Sequence, residues 1–146
     1  MYHFDPNRLS VTVMGIQLFE FASGEIITLA PRNKPFTEIE GCHGATARAG
    51  TPALLWEGTV NIVQGSPTNA AISAKVALDI GGVTGQTGPL MIKDLEGTSL
   101  VTAQVSYFYI PEIKRSTEPG VVAWPFVAEI QPGGWYEGAN KYLVAA

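Results

Sequence analysis

The sequence predicts a mainly β domain: a two-layer β-sandwich or barrel of about seven or eight strands with one flanking α-helix. Three observations predict it. Short runs rich in β-branched and aromatic residues recur along the chain, several of them alternating apolar and polar positions. Gly and Pro, 16 and 10 of the 146 residues, punctuate those runs. Only one stretch, QGSPTNAAISAKVALDIGG at 64–82, carries a helical pattern. A chain of this length fits a single domain with one core.

In chain order, 9–21 (LSVTVMGIQLFEF) reads as a strand that places Leu9, Val11 and Val13 opposite Ser10 and Thr12, with Gly15 marking a bulge. Ser23-Gly24 reads as a hairpin turn, and 25–31 (EIITLAP) as the strand that returns. The segment 35–41 is a strand whose faces are Phe36, Glu38, Glu40 and Thr37, Ile39, so one face is acidic. Residues 41–58 (GCHGATARAGTPALLWEG) show neither period and read as a long excursion, a protruding hairpin arm. Unstructured loops beyond ~12–15 residues are uncommon in compact domains unless they have a function. Leu54, Leu55 and Trp56 near its end need a partner.

A strand at 58–65 leads into the helix. Ser66 is placed to cap the first-turn N–H groups, and Pro67 sits where a missing N–H costs nothing. Ile72, Val76 and Ile80 recur every four residues, alanines fill the interior, and Gly81-Gly82 closes the helix, giving bounds of 67–80. A glycine-rich exit at 81–88 is followed by 89–97 and 98–113, a hairpin turning at Glu96-Gly97. In its second strand Val101, Ala103, Val105, Tyr107 and Tyr109 oppose Thr102, Gln104, Ser106 and Phe108. After the polar turn 114–120, the strand 121–130 puts Val122, Trp124, Phe126, Ala128 and Ile130 on one side. Pro125 donates no ladder bond, which places this strand at an edge or a bulge.

Composition narrows the function. The chain is 46% apolar and 15% charged, where about a quarter charged is usual, so its surface is poor in charge and some of it is expected to meet protein. The net charge is -4 and the longest basic run is Lys114-Arg115, which disfavours tight nucleic-acid binding. The N-terminus MYHFDPNRLS lacks a basic leader and an apolar core, and no window is apolar enough to span a bilayer, so a soluble protein made in the cytoplasm is expected. The single cysteine, Cys42, excludes an internal disulfide.

Catalytic constellations are absent from the sequence. His3 and His43 are the two histidines; Cys42 and His43 are sequence neighbours, which point apart on a strand instead of converging as a nucleophile and its base. Two histidines and one cysteine make no recognisable zinc site, and the glycines of GGVTGQTG lack the spacing of a phosphate cradle. Glu38 with Glu40, or Asp94 with Glu96, are same-face strand neighbours, not carboxylates facing each other across a cleft. Trp124 with Phe126, or Tyr107 with Tyr109, read as core before they read as a sugar platform. No enzyme activity, cofactor or metal is expected. Aromatics at the ends, namely Tyr2 and Phe4 before the first strand and Trp135, Tyr136 and Tyr142 after the last, fold back on the domain or seat on a neighbouring copy.

Taken together, the N-terminal hairpin, the arm with GATARAG, GTVNIVQGSPTNAAISA, PLMIKDLEGTSLV and the strand VAWPFVAEI resemble the tail tube protein of contractile-tailed bacteriophages. The resemblance covers most of the chain and is most specific at 58–74; Cys42-His43 and Trp135-Tyr136 fall outside it. It implies a virion structural protein of the phage tail, made in the bacterial host, whose hexameric rings stack into a hollow conduit inside a contractile sheath. Its partners would be further copies of itself, the sheath, the baseplate and the tail terminator, with DNA passing through without specific binding. A neutral-to-acidic lumen would repel phosphate, making Glu38, Glu40, Thr102, Gln104 and Ser106 lumen candidates. Arg48, Leu54, Leu55, Trp56, Tyr2, Phe4, Trp135 and Tyr136 are the stacking and interface candidates. The tubes of phage-like bacteriocins and type VI secretion systems are alternatives, as is a β-sandwich carbohydrate-binding module using Trp124 or Trp135.

Overall fold

The computed structural model describes residues 6–50, 54–82, 85–95 and 97–138. Among these residues ten strands and one α-helix follow one another as β1 (Leu9–Val13), β2 (Ile16–Gln17), β3 (Ile27–Pro31), β4 (Phe36–Glu40), β5 (Thr46–Gly50), β6 (Leu55–Val63), α1 (Pro67–Ile80), β7 (Gly88–Asp94), β8 (Leu100–Phe108), β9 (Val121–Glu129) and β10 (Trp135–Tyr136). The fold is mainly β with one helix, as the sequence predicts. Its layers come from a single antiparallel sheet in the order β2-β1-β7-β8-β9-β6-β3, with β10 added to β8, while β4 and β5 pair only with each other.

The large sheet curls without closing into a barrel. Residues 18–22 bridge its two ends: Leu18 N–H donates to Val11 O at 3.0 Å, and Ala22 N–H to Asn61 O at 3.1 Å, while Glu20 O accepts from Val63 N–H at 3.0 Å. The chain thus leaves the free edge of β1 and reaches the edge of β6. Inside the curl lie Val11, Val13, Val60, Ile62, Leu90, Phe108, Trp124 and Phe126, all nearly inaccessible to water. Burying side chains of this size contributes roughly 1.5–3 kcal/mol each, the main stabilising term here.

Several strand expectations are corrected by the pairing. Gly15 is not a bulge: Met14 at φ 58° and Gly15 at φ 79° form the tight turn between β1 and β2, the left-handed pair that suits a two-residue hairpin. β3 does not return along 9–21; it pairs with β6, Ile27 opposite Val60 through Pro31 opposite Trp56. Nor is β9 an edge strand, since it lies between β8 and β6. Pro125 is tolerated there because its carbonyl accepts from Tyr109 N–H at 2.9 Å at the very end of the β8–β9 ladder. The return bond that proline cannot give is the one where β8 stops.

β8 holds the most instructive departure. Between the pairs Leu90–Ala103 and Gly88–Ser106, β7 advances two residues and β8 three, so β8 carries a bulge that reverses its faces. Val101 and Ala103 turn toward the core at one end, but Ser106 and Phe108 do so at the other. The buried Ser106 hydroxyl accepts from Met14 N–H and donates to Gly88 O, both at 2.8 Å. Gly88 is required at this crossing, where a Cβ would lie 2.4 Å from the carbonyl carbon of Met14. Ser106 therefore leaves the set of lumen candidates: its side chain is inside the protein.

The helix has the expected bounds. Ser66 caps it, its hydroxyl accepting from Thr68 N–H at 3.3 Å, and Pro67 occupies the first turn. Ile72 and Val76 are buried, whereas Ile80, the third member of the expected stripe, is exposed. Asn69 fixes the helix to the sheet by donating to Val63 O at 3.0 Å and accepting from Trp124 Nε1 at 2.9 Å. Lys75 Nζ donates to the Met14 carbonyl, tying the helix to the β1–β2 turn.

Candidate functional site

The arm begins earlier than the sequence suggests. It is the two-stranded ladder of β4 and β5, from Phe36 to Gly50, and every residue of both strands is exposed. Glu38 and Glu40 consequently sit on the arm and not on the wall of the large sheet. Their face also holds Phe36 and Arg48: Glu38 opposes Arg48, whose guanidinium lies 4.1 Å from the centre of the Phe36 ring. The other face presents Thr37, Ile39, Ala47 and Ala49. At the tip, Gly41 N–H donates to Ala45 O and Gly44 N–H to Gly41 O; Cys42 and His43 lie exposed within that turn.

Leu54, Leu55 and Trp56, expected at the end of the arm, belong to the body. Leu54 O accepts from Ile130 N–H at 2.8 Å, and Leu55 and Trp56 open β6. Trp56 finds its partner in the same chain, the Trp135 ring, with centroids 6.0 Å apart and planes tilted by 45°. Trp135 and Tyr136 fold back as β10 on β8, opposite Val101 and Leu100, yet remain 50% and 61% exposed. Tyr2, Phe4 and Tyr142 lie outside the described residues. Thr102 and Gln104 are exposed on the outer face of β8, beside a shallow hollow of ≈ 650 Å³ that Glu129 and Gln131 also line. Thr102 is held there by its N–H, which donates to Gly134 O at 2.7 Å.

A feature the sequence reading missed lies against the helix. Residues 110–115 leave the sheet and run beside α1, enclosing a groove of ≈ 780 Å³ floored by Val76, Val122 and Trp124. Ile80, Ile110, Ile113 and Val121 stand exposed along it. Gln64 holds the segment in place, donating to Lys114 O and accepting from Gly120 N–H, each at 3.1 Å. The rim carries Lys114, Arg115 and Glu112, with Lys114 Nζ 3.5 Å from the Glu112 carboxylate. The signal was present as Ile110 and Ile113 spaced around Pro111-Glu112, but no period identifies such a segment.

Elsewhere the outer face of the sheet is polar and aromatic. Arg32 Nε donates to Glu57 Oε1 at 2.6 Å, and that bond first, then Tyr109, holds the guanidinium above its ordinary pKa. Tyr107 and Tyr109 meet edge to face at 5.6 Å and 85°, and the Tyr109 hydrogen bond, with burial, pushes the Tyr107 phenol up. Among the described residues no group of three or more His, Cys, Asp or Glu could hold a metal ion, and no helix is long and apolar enough to cross a membrane.

The same architecture occurs in a solved assembly. The chain is similar to the anti-feeding prophage cap, the AFP tube terminating cap seen by cryo-EM, with a TM-score of 0.54 and 13% identity over 89% of each chain. No family model matches the sequence, and no curated protein matches it. The likeness at this identity is one of fold alone, a fold shared with a prophage tube cap. It does not single out a tail tube protein.

Proposed function

We propose that the chain is a structural subunit of a phage-type tail tube, in which copies close into hexameric rings and the rings stack into a conduit inside a contractile sheath. The observation that carries this reading is the exposed hairpin arm. An isolated two-stranded ladder is marginal in water, so an arm of ten strand residues with none buried calls for a surface outside its own body. The fold shared with a prophage tube cap supports the same reading. Sheet edges left open at β2 and β3 would pair or pack against neighbours in a ring, a heterologous contact that closes.

Passage, not catalysis, is the mechanism. Thr102 and Gln104, next to Glu129, offer a neutral-to-acidic outer face from which phosphate is repelled instead of held. The sheath, baseplate and terminator would be the other partners, in a virion tail. A second reading, a terminator that ends the tube, is favoured by the neighbour itself, which is a terminating cap. A glycan-binding module is disfavoured: Trp124 is buried, and neither the Tyr107–Tyr109 nor the Trp56–Trp135 pair presents coplanar rings. Sedimentation of the purified protein across concentration tests the proposal. A hexameric species that grows by stacking supports the tube subunit, rings that never stack support the terminator, and a monomer throughout contradicts both.

A further inference from the structure

We propose that Glu57, backed by Tyr109, masks the Arg32 guanidinium on the outer face of the large sheet, so that the conduit wall presents no uncompensated cation there to hold passing phosphate. This rests on the reading that copies form a conduit lined by that face. It makes Glu57 a positioning residue for passage, since it acts through Arg32.

The first argument is placement. Glu57 on β6 lies opposite Val127 on β9, and Val127 lies opposite Tyr107 on β8, so the three share one face of the sheet. The core residues Phe126 and Phe108 point the other way, and Thr102 and Gln104 stand exposed on the same outer face as Tyr107. On its other side Glu57 opposes Ala30 of β3. Arg32, two residues beyond Ala30, has the same parity, and its N–H donates to Leu55 O at 3.0 Å, which carries the β3–β6 ladder past Pro31.

Charge content gives the second argument. The strands of the large sheet contain one basic residue, Lys93, against Glu57, Asp94 and Glu129. Arg32 follows β3 directly and adds a cation at the edge of a sheet otherwise poor in them. Beside it lies a hollow of ≈ 330 Å³ lined by Thr28, Glu57, Thr59 and Tyr109 among others and, among the described residues, by no basic side chain. Phosphate reaching this hollow meets hydroxyls and a carboxylate, a surface that repels it.

The contacts of Arg32 supply the third. Its Nε donates to Glu57 Oε1 at 2.6 Å and Tyr109 is its second partner, itself braced edge to face against Tyr107 at 5.6 Å. An arginine stays protonated throughout the physiological range, and these partners raise its pKa further, so only a fixed anion cancels its charge. A cancelled pair projects a weaker field than a lone guanidinium, and salt screens the remainder within ~8 Å. The two side chains are 36% and 55% exposed, so the pair contributes little to stability, and its main consequence is for what approaches the face.

Assembled tubes of the parent, of Glu57→Gln, and of Glu57→Gln with Arg32→Gln test this when incubated with a short fluorescent duplex DNA, treated with nuclease and pelleted. Glu57→Gln is expected to retain about tenfold more nuclease-protected DNA than the parent at low salt, with the excess falling as salt rises. The double variant should return to the parent's level, a rescue that a merely structural role for Glu57 would not produce. On unassembled protein, Glu57→Gln should elute from a heparin column at higher salt than the parent, and the double variant with the parent. Parent-like behaviour of Glu57→Gln in either measurement, or excess DNA that the nuclease removes, would overturn the inference and leave the proposed function standing. A parent protein that never forms tubes would remove both.

Discussion

The body and the arm are built from the same element type, antiparallel strands, and they differ in everything that stabilises strands. In the body, β1, β6, β7, β8 and β9 wrap one apolar interior, and even the buried Ser106 hydroxyl has a partner on each side. In the arm, β4 and β5 have a complete ladder and no buried residue. Backbone hydrogen bonds exchange for bonds to water at little net gain, so a ladder with no packed face adds little stability. The body carries its own apolar core, whereas neither strand of the arm has a buried residue.

Breaking the body should therefore be expensive and breaking the arm cheap. Phe126 is 1% exposed and meets the Phe108 ring at 6.0 Å, and Phe126→Ala is expected to lower unfolding free energy by about 3–5 kcal/mol in a denaturant titration. Ser106→Ala, which strands the Met14 N–H inside the protein, should cost about 1–3 kcal/mol. Ser66→Ala should cost about 1 kcal/mol through loss of the helix cap. Alkaline titration sharpens the contrast further. The folded Tyr107 pKa is raised, so its contribution is intact below the ordinary value of 10.0 and is lost as pH climbs through the folded value. Tyr107→Phe should flatten that alkaline limb slightly. At the bottom of the scale, Ile39→Ser on the arm should leave thermal stability within about 0.5 kcal/mol of the parent while abolishing stacking. A large stability loss from that last change would mean that the arm packs on its own body.

The elements legible in the sequence were those whose signal is local. Ser66-Pro67, the Ile72–Val76 spacing and Gly81-Gly82 each point to the same helix, and its bounds came out unchanged. Period two along 121–130 found the buried face of β9 for the same reason. What stayed hidden depended on residues distant in sequence. The bulge in β8 exists because β7 crosses the Met14 turn at Gly88, and it turned Ser106 from a presumed surface residue into a core one. Pro125 looked like an edge marker because proline cannot donate, but the position of Tyr109 shows that nothing needed its donation. The pairing of β3 with β6 is likewise a choice of partner that neither strand's own pattern records.

The candidate site divides along the same line. GATARAG reads as part of an exposed arm and the acidic FTEIE as a separate strand; only their register shows that both form the arm and that Glu38 opposes Arg48. The groove beside α1 was not legible, because 110–113 read as the end of the strand 98–113, whereas β8 stops at Phe108 and the chain leaves the sheet. Trp56 and Trp135 were both singled out as interface residues, 79 positions apart by their numbering, and are in fact each other's neighbours.

Negative-stain electron microscopy of the concentrated protein near neutral pH tests the central claim most directly, with the parent and Ile39→Ser imaged side by side. Stacked rings or hollow tubes are expected for the parent, and isolated rings for the variant. Uniform single particles of the parent, with neither rings nor tubes at any concentration, would contradict it.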